Sequence, residues 1–140
     1  MKHYLRILAF ILSLSNITAQ ESQTTLAILD FEGRGINSLE AATLTDRFTS
    51  EIGKTGAMRL VDRNMVEEIL REQGFQQSGC TTDECAVEVG AMLGVQFMVS
   101  GAIGKLGDTF TIDAKMVSVE SGASVEARNV TYIGKVDGLV

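Results

Sequence analysis

Residues 96–119, QFMVSGAIGKLGDTFTIDAKMVSV, decide the fold, because apolar residues fall here at alternate positions. QFMVSGAI reads as one strand, Lys105 to Asp108 as a turn, and Thr109 to Val119 as a second strand. Phe110, Ile112, Ala114 and Met116 share one side of that second strand, and Thr109, Thr111, Asp113 and Lys115 share the other. A strand of this kind covers helices with one face and meets water with the other. Glu120-Ser121-Gly122 then turns the chain into a last strand, Ser124 to Ile133.

Upstream the period lengthens. Thr24 to Phe31, TTLAILDF, is an apolar run of strand length with a β-branched start, as in a strand covered on both faces. The loop EGRGIN follows. Asn37 or Ser38 caps a first helix, Glu40 completes a capping box with Asn37, and Ala41, Leu44, Phe48 and Ile52 recur at helical spacing up to a stop at Gly53 to Gly56. Met58 to Val61 is a short apolar stretch. Asn64 with Glu67 predicts a second helix carrying Val66, Ile69 and Leu70, stopped at Gly74. Thr81 with Glu84 predicts a third, with Ala86, Val89 and Leu93 buried and Gly94 as its end. The order is βαβααβββ: an α/β chain, an α+β sandwich whose helices pack on one face of a mixed sheet. Asp137 reads as the cap of a closing C-terminal helix whose body is missing after Val140, which predicts a truncated domain with exposed apolar surface.

The amino terminus is an export signal. Lys2, His3 and Arg6 supply positive charge, Leu5 to Leu14 an apolar run, and Ile17-Thr18-Ala19 a cleavage site. The run is interrupted by Arg6, Ser13, Ser15 and Asn16, short of the roughly 20 apolar residues that span a bilayer. Residues 1–19 are therefore read as a signal peptide and 20–140 as a single domain, soluble once processed. Lys2 and Arg6 leave with the signal, so ten of the 12 basic residues remain against 18 acidic ones, a net charge of −8. That balance opposes nonspecific binding to nucleic acid or anionic lipid.

The chain has no Trp and no Pro, and its one histidine, His3, lies in the signal. Ser-His-Asp and Cys-His catalysis, and zinc sites with a histidine ligand, are thereby excluded from the processed protein, which reads as nonenzymatic with no cofactor and no metal. Cys80 and Cys85 flank TTDE at the mouth of the third helix, and in an exported protein they read as a structural disulfide; free or metal-bound thiols and a redox pair are the alternatives. Gly33 and Gly35, between strand and helix, lack the remaining residues of a phosphate loop and read as a flexible connector. Asp30, Glu32, Glu67, Glu68, Glu72, Asp83 and Glu84 are the carboxylates from which a hydrolytic or calcium site could be built. Helix capping, a Glu67–Arg71 pair and the helix dipole explain most of them. Arg59, Arg63 and Arg71 are interleaved with acids and read as a solvated face. Asn129-Val130-Thr131 is a glycosylation sequon, relevant in a source that glycosylates secreted proteins.

Asp30-Phe31 at the end of the apolar strand, Val61-Asp62-Arg63 leading to Ile69-Leu70, and Leu93-Gly94-Val95 leading to Gly101 together resemble the curli-secretion component (CsgG-like) family. They also resemble the related penicillin-binding-protein activator lipoproteins and the N-terminal domain of TolB, and the resemblance runs from about residue 24 to 137. It implies a periplasmic or secreted α/β domain that binds cell-envelope proteins, and itself in an oligomer, peripheral to the outer membrane at most. The function it implies is cell-envelope assembly or secretion; a subunit of a curli-type secretion channel and a regulator of peptidoglycan synthesis are the alternatives. Ala19 is followed by Gln20, where those lipoproteins carry a lipid-bearing cysteine. The strands from Thr109 to Ile133 carry Asp113, Lys115, Glu126 and Arg128, which do not suit the lipid face of a channel hairpin.

Overall fold

The computed structural model describes residues 23–75, 80 and 82–135. The signal peptide expected at 1–19 and the helix expected after Asp137 lie outside these residues. Six strands and three helices follow in the order β1 (Thr25–Ile28), β2 (Glu32–Arg34), α1 (Ser38–Thr55), β3 (Arg59–Leu60), α2 (Arg63–Glu72), α3 (Asp83–Leu93), β4 (Phe97–Leu106), β5 (Thr109–Ser118) and β6 (Ser124–Ile133). They form one mixed sheet in the spatial order β3-β1-β4-β5-β6, with β2 also paired to β4. β4 runs parallel to β1 and β2 and antiparallel to β5, and β5 is antiparallel to β6.

The mixed sheet and its three helices match the expected class, but β2 is an addition. Ile28 stands opposite Val99 and Glu32 opposite Ala102, so four steps along one strand oppose three along the other. The extra residue breaks the strand that the sequence predicts to run through Phe31. It also reverses the parity: Leu29 packs in one core cluster and Phe31 in the other, although two residues of a regular strand would share a side. The Phe31 N–H is bonded to Thr45 Oγ1 of α1 at 3.0 Å. Glu32–Arg34 becomes a strand because the ten residues of β4 outrun β1 and leave an edge to be paired.

The helices do not share a face, which corrects the one-sided layering expected. Leu26, Ile28 and Val99 pack with Leu44, Phe48 and Ile52 of α1, whereas Ala27, Leu29 and Met98 pack with Val66 and Leu70 of α2 and Ala86 and Val89 of α3. The strand order supplies the reason. The connection β1-α1-β3 runs outward from β1, and β3-α2-α3-β4 runs back past it. Right-handed crossovers in opposite directions put their helices on opposite faces.

Local signals set the helix ends. Asn37 accepts from the Glu40 N–H at 2.9 Å and Glu40 reaches back to the Asn37 N–H at 3.2 Å, the reciprocal box that the sequence predicts. The cap of α2 is Asp62, not Asn64: its carboxylate accepts from the Asn64 N–H at 2.8 Å, which starts the helix at Arg63. α3 is capped by Thr82 and ends at Gly94 in the left-handed conformation.

Candidate functional site

One cationic group joins three elements at the carboxyl end of β1. Arg63, on the first turn of α2, places Nη2 2.7 Å from Asp30 Oδ1 and Nε 2.9 Å from Glu67 Oε1, one helical turn on. Its Nη1 pairs with Asp46 of α1. Burial raises the Asp30 carboxyl above its ordinary value and outweighs the attraction of Arg63, with Glu67 and Asp46 adding repulsion. Burial opposes the charge on Arg63 as well, but the bond to Glu67 and the charges of Asp30 and Asp46 hold it above its ordinary value. The Asp30 shift is set first by burial, and the Arg63 shift by the three carboxylates that share its guanidinium. Its donors are engaged within the fold, so the cluster fastens α1, β1 and α2 together and offers no open cation to a ligand.

Arg63 is therefore no part of a solvated face, and Glu67 pairs with it at i, i+4 in place of Arg71. Arg59 and Arg71 are exposed, as the interleaved pattern predicts. Of the seven carboxylates singled out from sequence, Asp30 and Glu67 meet at Arg63, Glu32 pairs with Arg34 at 2.9 Å, and Asp83 lies 2.5 Å from Lys115 of β5. Glu68, Glu72 and Glu84 are exposed. Gly33 sits within β2, where a Cβ would stand 3.2 Å from Ala41, and Gly35 closes on the Lys105 backbone with φ 79°. These glycines join β2 to α1 tightly and form no cradle. Cys80 and Cys85, the latter on the first turn of α3, are bonded, Cα to Cα 5.4 Å, and both are buried in the core cluster of α2 and α3. Among the described residues no group of three or more His, Cys, Asp or Glu is placed to hold a metal ion.

The remaining features are surfaces. A polar cleft of about 400 Å³ lies among Asp30, Arg34, Cys80, Ser100, Asp113 and Lys115. On the α1 side of the sheet an apolar groove of about 300 Å³ runs between Phe48 and Ile52 of α1 and Met116 of β5, with Met58 at one end and Glu126 and Arg128 on its rim. Beyond it the outer strand is bare: Val130 is 55% and Ile133 75% exposed. Sequence reading missed Asp46 and the groove, because neither follows one periodic pattern; each gathers residues far apart in the chain. In the sequence the β6 rim is marked only by the charges of Glu126 and Arg128. An apolar groove and an open strand edge are surfaces on which another polypeptide can dock.

A family model described as "Peptidoglycan-synthase activator LpoB" matches residues 7–125. Among solved structures, the C-terminal domain of LpoB from Salmonella enterica matches with a TM-score of 0.67 at 14% identity, covering 91% of this chain and 93% of that one. Lipoprotein GNA1162 from Neisseria meningitidis matches with a TM-score of 0.67 at 11% identity, over 80% of this chain and 82% of that one. TolB from Acinetobacter baumannii matches with a TM-score of 0.53 at 13% identity, over 82% of this chain and 24% of that one. At such identities these likenesses show the fold alone. No curated protein matches the sequence. The family match supports the synthase-activator relation expected from the sequence motifs, the likeness to TolB is one of fold, and the curli label has no support.

Proposed function

The chain belongs to the LpoB family, whose description is peptidoglycan-synthase activator, and from that membership we propose that it binds a peptidoglycan synthase in the periplasm and raises its activity. The match across residues 7–125 carries this reading. It favours the regulator of peptidoglycan synthesis, until now the alternative, over a general assembly or secretion role and over a curli-type channel. The protein acts by contact and performs no chemistry itself. A processed chain without histidine, exposing a groove and a strand edge, is consistent with that division of labour. We assign residues 1–19 as the export signal, 20–140 as one domain, and the Cys80–Cys85 bond as structural.

The test is a reconstituted assay. The purified protein is added to a purified penicillin-binding peptidoglycan synthase from the same source, and glycan-strand polymerisation from lipid-linked precursor is followed together with binding by surface plasmon resonance. Saturable binding with a faster polymerisation rate is expected. Absence of binding and an unchanged rate, across the synthases of that source, would overturn the reading.

A further inference from the structure

We infer that two copies of the chain join through their β6 strands, running antiparallel about a dyad that passes through Ala127. The two edges of the sheet differ. The β3 edge is two residues long, whereas among the described residues β6 presents ten residues paired on one side only, to β5. An edge of that length is normally blunted by charge, especially lysine, by proline, by a bulge or by brevity, and of these β6 carries two opposite charges and one irregularity at its start. β6 has no lysine and no proline, and its residues are exposed except Tyr132. Its only charged side chains are Glu126 and Arg128.

Those two charges select both the partner and the register. When identical strands meet about a dyad perpendicular to the sheet, opposed residues lie on the same face, so the dyad passes through a residue position. A dyad at Glu126 or at Arg128 opposes like charges, and a dyad at Asn129 or Val130 leaves both charges facing neutral residues. With the dyad at Ala127, Glu126 of each copy stands opposite Arg128 of the other, giving two complementary cross-strand pairs. The irregularity of β6 falls at Val125, between the partners of Met116 and Val117, directly beside Glu126, so regular pairing is centred on Glu126, Ala127 and Arg128. Glu126 and Arg128 also form the rim of the apolar groove, so pairing brings two grooves side by side on one face of a continuous sheet. In the isolated chain Arg128 Nη1 lies 3.0 Å from Glu126 Oε1 with both side chains largely exposed, an arrangement that is readily exchanged for the intermolecular one.

This assembly is independent of the synthase reading, and its test needs no synthase. Sedimentation velocity on the purified protein across a concentration series should show a monomer–dimer equilibrium. Glu126→Arg and Arg128→Glu should each weaken it on the order of tenfold by turning both pairs repulsive. The double swap E126R/R128E should restore it. Ala127→Cys should give a covalent dimer under mild oxidation, since directly opposed strand residues lie within disulfide reach, while Asn129→Cys should not. A monomer at every concentration, a double swap that stays as weak as the single variants, or cross-linking through position 129 in place of 127 would overturn the inference.

Discussion

Arg63 Nη2 lies 2.7 Å from Asp30 Oδ1, which brings together two landmarks of the sequence 33 positions apart, the Asp30-Phe31 strand end and the Val61-Asp62-Arg63 segment. The side chains are 29% and 19% exposed, so the pair stands between a surface contact and a buried one. Because Asp46 also reaches Arg63, the same guanidinium connects helices on opposite faces of the sheet.

Removing that guanidinium should be costly. Arg63→Ala leaves Asp30, Asp46 and Glu67 facing one another without a cation. Breaking a fully buried pair costs about 3–5 kcal/mol and an exposed pair about 0–1, so a loss of about 2 kcal/mol is expected here. A urea denaturation midpoint, compared with that of Arg71→Ala as an exposed control, measures it; equal midpoints would show that the cluster contributes nothing.

The pH dependence follows from the raised pKa of Asp30. A carboxyl whose pKa is higher in the folded state than its ordinary 3.8 binds protons more readily when folded, so it contributes stability below 3.8 that is lost as pH rises through the folded value. Asp30→Asn cannot titrate. The unfolding free energy of the native protein minus that of Asp30→Asn should therefore fall between pH 3 and pH 7, as read by urea unfolding at intervals across that range. A difference that rises with pH would mean that Arg63 outweighs burial at Asp30.

Thr45 is 2% exposed, accepts from the Phe31 N–H at 3.0 Å and donates to the Ala41 carbonyl at 2.9 Å. Thr45→Val keeps the volume but strands a buried N–H at the break between β1 and β2. A loss of about 1–3 kcal/mol is expected. Amide hydrogen exchange at Phe31 should accelerate beyond the change seen for residues in β4, and uniform acceleration would show that the bond has no local role.

How much of this could be read beforehand depends on whether one local pattern carried the information. The β4–β6 meander is legible because alternation sets β4 and β5, and the turns at Gly107 and Gly122 separate them and lead into β6. The first helix was legible from Asn37 and Glu40. β2 was not, since Glu-Gly-Arg has no strand pattern and pairs only because β4 extends past β1. The two-sided layering had a sign in β1, apolar at Leu26 and Ile28 and equally at Ala27 and Leu29, but it also needed the strand order, which depends on pairings far apart in sequence. At the candidate site, Asp46 and the β6 rim are defined by neighbours across space, and sequence spacing could not bring them together.

Gly90 was overlooked for a related reason. Ala86, Val89 and Leu93 are the stripe that spacing predicts for α3, but Leu93 is only partly buried, whereas Gly90 is buried with Ala86 and Val89, and a Cβ there would stand 2.5 Å from Val119 Cγ2 and 2.7 Å from Met98 Cγ. Gly90→Ala gains helix propensity of up to about 1 kcal/mol but must displace α3 from the sheet, for a net loss of roughly 1–2 kcal/mol. A lowered thermal midpoint is expected, whereas a raised one would show that α3 has room to shift.

The disulfide provides the last discriminating measurement. A redox pair needs a sulfur that a second thiol can attack, whereas Cys80 is 4% and Cys85 9% exposed. The loop they close is short, so the chain-entropy contribution is about 2 kcal/mol. Cys80→Ala combined with Cys85→Ala should therefore lower the unfolding free energy by about 2 kcal/mol and leave synthase activation intact at temperatures where the variant is folded. The native bond should resist millimolar glutathione in the folded protein and be reduced once urea exposes it. Rapid reduction of the folded protein, or loss of activation in a folded double variant, would instead assign the pair a redox or contact role.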